Sequence, residues 1–189
     1  MPGIELRPGF FMFAIVLAAL DRSGSVLPIL CAMAVHELAH VVMMLACGGQ
    51  VRRLTLRFAD LQIAASGLGY RQELLSALAG PLVNLICGAA FCMQRPSFAA
   101  YSLTLGIYNL LPVWPLDGGR MIRCALLARL PITQAEHISE IVSFAACAVL
   151  LLIGVFLTFF RKSGLWPLGT AAYLTVRLLM LARRTDAVQ

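Results

Sequence analysis

Long apolar runs separated by short polar stretches organise this sequence, at about residues 9–20, 24–47, 72–94, 97–116, 138–160 and 164–182. A helix needs about 20 apolar residues to cross the hydrocarbon core of a bilayer. The first run falls short of that length and the others are adequate. Tilting, local thinning of the bilayer or partial entry would each accommodate the short run, so whether it spans stays open. No cleavage site of the signal-peptide kind follows it, and it is read as mature structure. No internal repeat or low-complexity tract interrupts the series.

Between the second and third runs the period changes. Leu54, Leu56 and Phe58 alternate with Thr55 and Arg57, and Leu61 and Ile63 continue the alternation after Ala59-Asp60. A period of two belongs to strands, so residues 51–70 predict a short hairpin. Ser66-Gly67 and Gly69 mark a loop before the next helix starts at Gln72. The pattern as a whole predicts an all-α polytopic membrane protein. It has about six transmembrane helices and a short β-hairpin between the second and the third. Residues 1–189 are expected to form a single membrane-embedded domain.

Composition strengthens the membrane reading. Hydrophobic residues make up 60% of the chain and charged residues 13%, where a soluble domain carries about 25% charged residues. The net charge of +6 could suggest a nucleic-acid partner, but the basic residues fall mainly between the apolar runs. If all six runs cross, one side receives Arg7, Arg52, Arg53, Arg57, Arg71, Arg120, Arg123, Arg129, Arg183 and Arg184. The other receives Arg22, Arg95, Arg161 and Lys162. Excess Lys and Arg mark the cytoplasmic face, which puts both termini there. Lipid headgroups, and no nucleic acid, are the partners this charge implies. Cys31, Cys47, Cys87, Cys92, Cys124 and Cys147 form no CxxC pair and sit mostly in apolar runs. They read as small, reduced packing residues.

The second run contains His36-Glu37-Leu38-Ala39-His40. Histidines at i and i+4 share one helix face, with Cβ atoms about 5–6 Å apart, which suits two imidazoles on one tetrahedral zinc. A glutamate between them can take a proton from a water on that metal. A solvated helix could carry the same letters, but this helix is apolar on both sides. An uncompensated carboxylate at mid-bilayer costs on the order of 3 kcal/mol, so a metal, a proton or a polar cavity must offset Glu37. A catalytic zinc also needs a third protein ligand. His137, the remaining histidine, lies in a polar stretch and reads as a surface residue. Asp117 is the better candidate. It follows Pro112 and Pro115, which open the fourth run into an extended segment. There it could cap a new helix through Met121 and Ile122 while offering its carboxylate to the metal; a plain helix cap at the cytoplasmic rim is the alternative. Both halves of this site fall near the cytoplasmic ends of inward-running segments, at similar depth.

Three ordered motifs now resemble a known family: His36-Glu37-Leu38-Ala39-His40, then Ala79-Gly80-Pro81-Leu82-Val83-Asn84, then Leu116-Asp117-Gly118. Together they resemble the site-2 protease family, peptidase M50, of intramembrane zinc metalloproteases, over about residues 30–125. The short layout and the stretch from Asn109 to Arg120 look most like its stage IV sporulation protein FB group, without that group's C-terminal CBS domain. The resemblance implies Zn2+ held by His36, His40 and Asp117, with Glu37 as general base and acid. It implies that Asn109 positions substrate or stabilises the oxyanion. It implies a related role for Asn84, with buried hydrogen bonding near Pro81 as the alternative structural reading. It also suggests that the 51–70 hairpin offers an edge to an extended substrate.

The expected activity is hydrolysis of a peptide bond in a membrane-tethered protein, with a sporulation pro-sigma factor among the candidate substrates. Inhibitory membrane proteins and further copies of the chain are the other partners this implies. The competing reading is a zinc transporter or an inactive zinc-binding scaffold using the same ligands. Transporters often show two related halves with broken helices, and this chain shows one broken segment.

Overall fold

The computed structural model describes residues 3–6, 19, 21, 24–57, 60–161 and 164–186. Among them are three strands and six helices. The strands are β1 (Gly3–Leu6), β2 (Gln50–Arg57) and β3 (Asp60–Ser66), and the helices are α1 (Val26–Ala46), α2 (Tyr70–Ala90), α3 (Pro96–Asn109), α4 (Asp117–Leu127), α5 (Ile132–Phe159) and α6 (Trp166–Asp186). The short apolar run at 9–20 lies outside the described residues, apart from Ala19. The chain divides into two compact units, Met1–Asn109 and Leu110–Gln189.

Of the described helices, α1, α2 and α5 are long and apolar enough to cross a membrane. The fourth apolar run does not continue as one helix. It ends at Asn109, and the short α4 begins at Asp117. Pro112 and Pro115 supply no N–H to a helical ladder, which is the physical reason for the break. The fifth run starts earlier than its apolar letters suggest: α5 takes in the polar stretch from Ile132, so His137 is an exposed residue on its first turns.

In the first unit, α1 is inverted relative to a soluble helix. Ala32, His36, His40 and Met44, four residues apart, are buried, while Leu38, Val42 and Leu45 are exposed. Apolar side chains turned outward and polar ones inward suit a lipid surround. The start of α1 is held by Asp21, whose carboxylate accepts the N–H groups of Ser25 and Val26 at 3.1 and 2.8 Å. Its end is a Schellman motif: Gly48 takes φ +80°, Gly48 N–H donates to Leu45 and Gly49 N–H to Met44. Gln72 then accepts from Gly69 N–H at 2.8 Å and donates to Cys47 O at 3.0 Å, which ties the start of α2 to the end of α1.

Helices α2 and α3 approach closely through small residues. A Cβ on Gly88 would come within 2.6 Å of Leu103 Cδ2, and one on Gly106 within 3.0 Å of Pro81 O. Ala99 and Ser102 share that face of α3 and are buried. Small faces of this kind let helices pack where water provides no driving force. Strand β2 pairs antiparallel with β3, from Gln50↔Ser66 to Arg57↔Asp60, with an irregularity between Val51 and Arg53. It also pairs in parallel with β1, from Gly3↔Arg53 to Leu6↔Leu56. The sequence reading did not anticipate β1, because four residues are too few to show a period.

In the second unit, Ala135, Ser139, Ser143 and Cys147 form the buried stripe of α5. Helix α6 meets α5 near Gly154, where a Cβ would lie 3.1 Å from the Leu168 Cα. Ala171, Leu174 and Leu178 are buried residues of α6.

Candidate metal centre

Helical geometry puts His36 and His40 one above the other on the inner face of α1. Both are buried, at 4% and 3% exposure. Their Nε2 atoms converge to 3.1 Å, and the rings stand nearly perpendicular, at 85°. The other ring nitrogens are engaged with α2: His40 Nδ1 lies 2.6 Å from Ser76 O, and His36 Nδ1 lies 3.2 Å from Asn84 Nδ2.

Gly80 makes room for this pair. A Cβ there would come within 2.6 Å of His40 Cε1 and 2.8 Å of His36 Nε2. Ser76, Gly80 and Asn84 are four residues apart on α2, so three successive turns of one face receive two successive turns of α1. Two imidazoles with converging Nε2 atoms, backed by a glycine, fit a divalent metal of the zinc class. Glu37 follows His36 directly, about 100° around the helix, and is half-buried. Asn109 ends α3, and its amide donates to Leu105 O at 3.1 Å.

The second unit carries Asp117. The carboxylate is buried, at 7% exposure, with Arg120 Nη1 at 3.4 Å. The N-cap is Leu116, not Asp117: the Leu116 carbonyl accepts the first helical bond, from Arg120 N–H at 3.0 Å. Asp117 is therefore the first helical residue, where a negative charge suits the helix dipole. Gly118 and Gly119 lie against the proline-rich segment that precedes them. A Cβ on Gly118 would overlap the Leu110 and Leu111 carbonyls, and one on Gly119 would come within 2.5 Å of Trp114 N. That segment, with its cis Trp114–Pro115 bond, is docked on α5. Trp114 N–H donates to Ser143 Oγ at 3.1 Å, and Ser143 donates to Ser139 O at 2.9 Å. Arg123 lies over the Trp114 ring and pairs with Glu136 at 2.9 Å.

The structure thus brings His36 and His40 together and sets Asn84 against His36, where the sequence left Asn84 with two readings. Ser76 and Gly80 were not singled out as site residues. Their signal was present in the spacing: small residues four apart on a helix that follows the histidine helix.

Residues 95–153, which include Asn109 and Asp117 but not His36 or His40, match the model of Peptidase family M50. Stage IV sporulation protein FB of Bacillus subtilis (strain 168) is 25% identical over 169 residues, 82% of this chain and 58% of that protein. Zinc metalloprotease MJ0392 of Methanocaldococcus jannaschii is 26% identical over 172 residues, 80% of this chain and 51% of that one. The chain therefore spans little more than half the length of these curated relatives. The fold is similar to that of the solved Site-2 Protease from Methanocaldococcus jannaschii, with a TM-score of 0.65 at 20% identity, covering 94% of this chain and 89% of that one. The chain is a membrane protein similar to zinc metalloproteases, with its residues 95–153 matching Peptidase family M50.

Proposed function

We propose that this chain is an intramembrane zinc endopeptidase that hydrolyses a peptide bond in a membrane-tethered protein. The observation that carries the reading is the buried pair of Nε2 atoms 3.1 Å apart, on a helix long and apolar enough to cross a bilayer. In this reading His36, His40 and Asp117 hold the metal, a donor set of two imidazoles and one carboxylate that leaves a coordination position open. Zinc supplies, when bound, acidification of water and polarisation of the scissile carbonyl. Glu37 takes the proton of the attacking water and returns it to the departing amine. Asn109 donates to the oxygen on which charge develops. An amide has two N–H groups, so its bond to Leu105 does not exhaust it.

The same proposal takes 1–189 as one metalloprotease domain, multi-pass, with both termini cytoplasmic and the site near that face. The arginine distribution supports this orientation. An extended substrate adds to the outer edge of β3, since β2 is flanked by β1 and β3. The name of the Bacillus subtilis relative suggests sporulation as the setting, and the sequence resemblance adds a pro-sigma factor as candidate substrate.

The test is co-expression of the chain with tagged membrane-tethered substrates, read by product size. The wild type is expected to release a shorter product. Glu37→Gln is expected to lower cleavage by about 10²–10⁴-fold while the protein keeps its zinc. A wild type that cleaves none of them yet moves zinc across vesicles would sink the peptidase reading.

A further inference from the structure

His40 and His36 differ in what faces their Nδ1 atoms. His40 Nδ1 meets a backbone carbonyl, Ser76 O, at 2.6 Å. A carbonyl only accepts, so this nitrogen carries a proton, and in the neutral ring Nε2 then keeps its lone pair. His36 Nδ1 meets the side-chain amide of Asn84 at 3.2 Å, and an amide can either donate or accept. Asn84 is fully buried, and as placed its Oδ1 has no hydrogen-bond partner.

We propose that Asn84 is the positioning residue for His36: its side-chain oxygen accepts the His36 Nδ1–H and so fixes the tautomer whose Nε2 binds metal. The proposal rests on the reading of His36 as a ligand through Nε2. That nitrogen faces His40 Nε2 at 3.1 Å, and a metal shared by the two requires a lone pair on each. The proton of His36 must then sit on Nδ1, and a group facing a donor must accept. Oxygen and nitrogen of an asparagine amide occupy nearly the same volume. Turning the amide over exchanges an orphan oxygen for an NH2 at the same buried place, so packing does not choose between the orientations; the tautomer does. Histidine ligands commonly give their second N–H to such a partner, which raises ligand basicity and holds the ring. Here one face of α2 serves both rings, with Ser76 one turn before Gly80 and Asn84 one turn after it.

The full chain in detergent, titrated with zinc against a chromophoric chelator, tests this. Asn84→Ala is expected to weaken zinc binding by about 10–100-fold, and Asn84→Asp, which can only accept, to restore it. Nitrogen-15 NMR of histidine-labelled, zinc-loaded wild type supplies a measurement that needs no variant to fold. It is expected to show His36 protonated at Nδ1 and ligated at Nε2. Ligation through His36 Nδ1 would overturn the proposal. So would wild-type zinc affinity in Asn84→Ala with only KM raised, which would return Asn84 to substrate contact. Failure of the underlying reading looks different: His36→Ala would then bind zinc as tightly as the wild type.

Discussion

The two units present their candidate ligands by different means. In the first, His36 and His40 owe their alignment to the helical repeat, and the neighbouring helix only has to leave space at Gly80 and offer partners at Ser76 and Asn84. In the second, no repeat positions Asp117. The carboxylate stands at the start of a short helix whose first turn rests on an irregular segment. That segment is held by backbone contacts at Gly118 and Gly119 and by the hydrogen bond to Ser143. A regular element tolerates local change because its geometry is intrinsic. An irregular one depends on every contact that shapes it, and disturbance there should cost more in folding.

Gly118→Ala gives the largest expected effect on stability. Its methyl would meet the carbonyl oxygens of Leu110 and Leu111, which are backbone and cannot rotate aside. Overpacking costs about 1–3 kcal/mol where side chains can adjust, and this site should reach or exceed about 3 kcal/mol. Thermal unfolding of the detergent-solubilised protein measures it. An unchanged midpoint would mean that the segment yields more easily than its contacts imply, and the contrast between the units would weaken.

Gly80→Ala is the matching change in the first unit. Here the methyl would meet imidazole rings, which can tilt, so the expected loss of stability is smaller, about 1–2 kcal/mol. The tilt moves both Nε2 atoms, and zinc affinity should fall by about tenfold or more, since about 1.4 kcal/mol corresponds to a factor of ten. Chelator competition reads the affinity and thermal unfolding the stability. The comparison holds if Gly80→Ala harms metal binding more than folding while Gly118→Ala harms folding more.

The same contrast explains how much was legible in the sequence. Two histidines four apart in an apolar run announce a shared face, because the period of a helix is known before any tertiary contact forms. The alternation at 51–63 announced extended structure for the same reason. Pro112 and Pro115 announced where the fourth run would break, since each lacks a helical donor. They did not give the helix start, which fell at Leu116 and left Asp117 one position inside. The stretch 132–137 reads as a connection because Thr133, Gln134, Glu136 and His137 dominate it, yet it forms the first turns of α5. Gly80 stood in a motif without a role of its own and Ser76 outside any motif, because what they do appears only once α1 lies against α2; Ser143 was hidden because its partner is a backbone N–H 29 residues away.

Ser143→Ala tests that last contact and should give the smallest effect of the series. The hydroxyl accepts from Trp114 N–H and donates to Ser139 O. Its loss leaves the Trp114 N–H without this partner, a penalty of about 1–3 kcal/mol when such a group is buried. Trp114 is only half-buried, so the lower end, about 1 kcal/mol, is expected. Arg123 still holds the Trp114 ring in the variant, so the segment should loosen and not detach. Cleavage should therefore fall by less than tenfold, with zinc affinity affected to a similar degree if Asp117 is a ligand. A Ser143→Ala protein with lowered stability and unaltered zinc affinity would separate the segment's shape from the metal, and the plain helix-start reading of Asp117 would then gain over the ligand one.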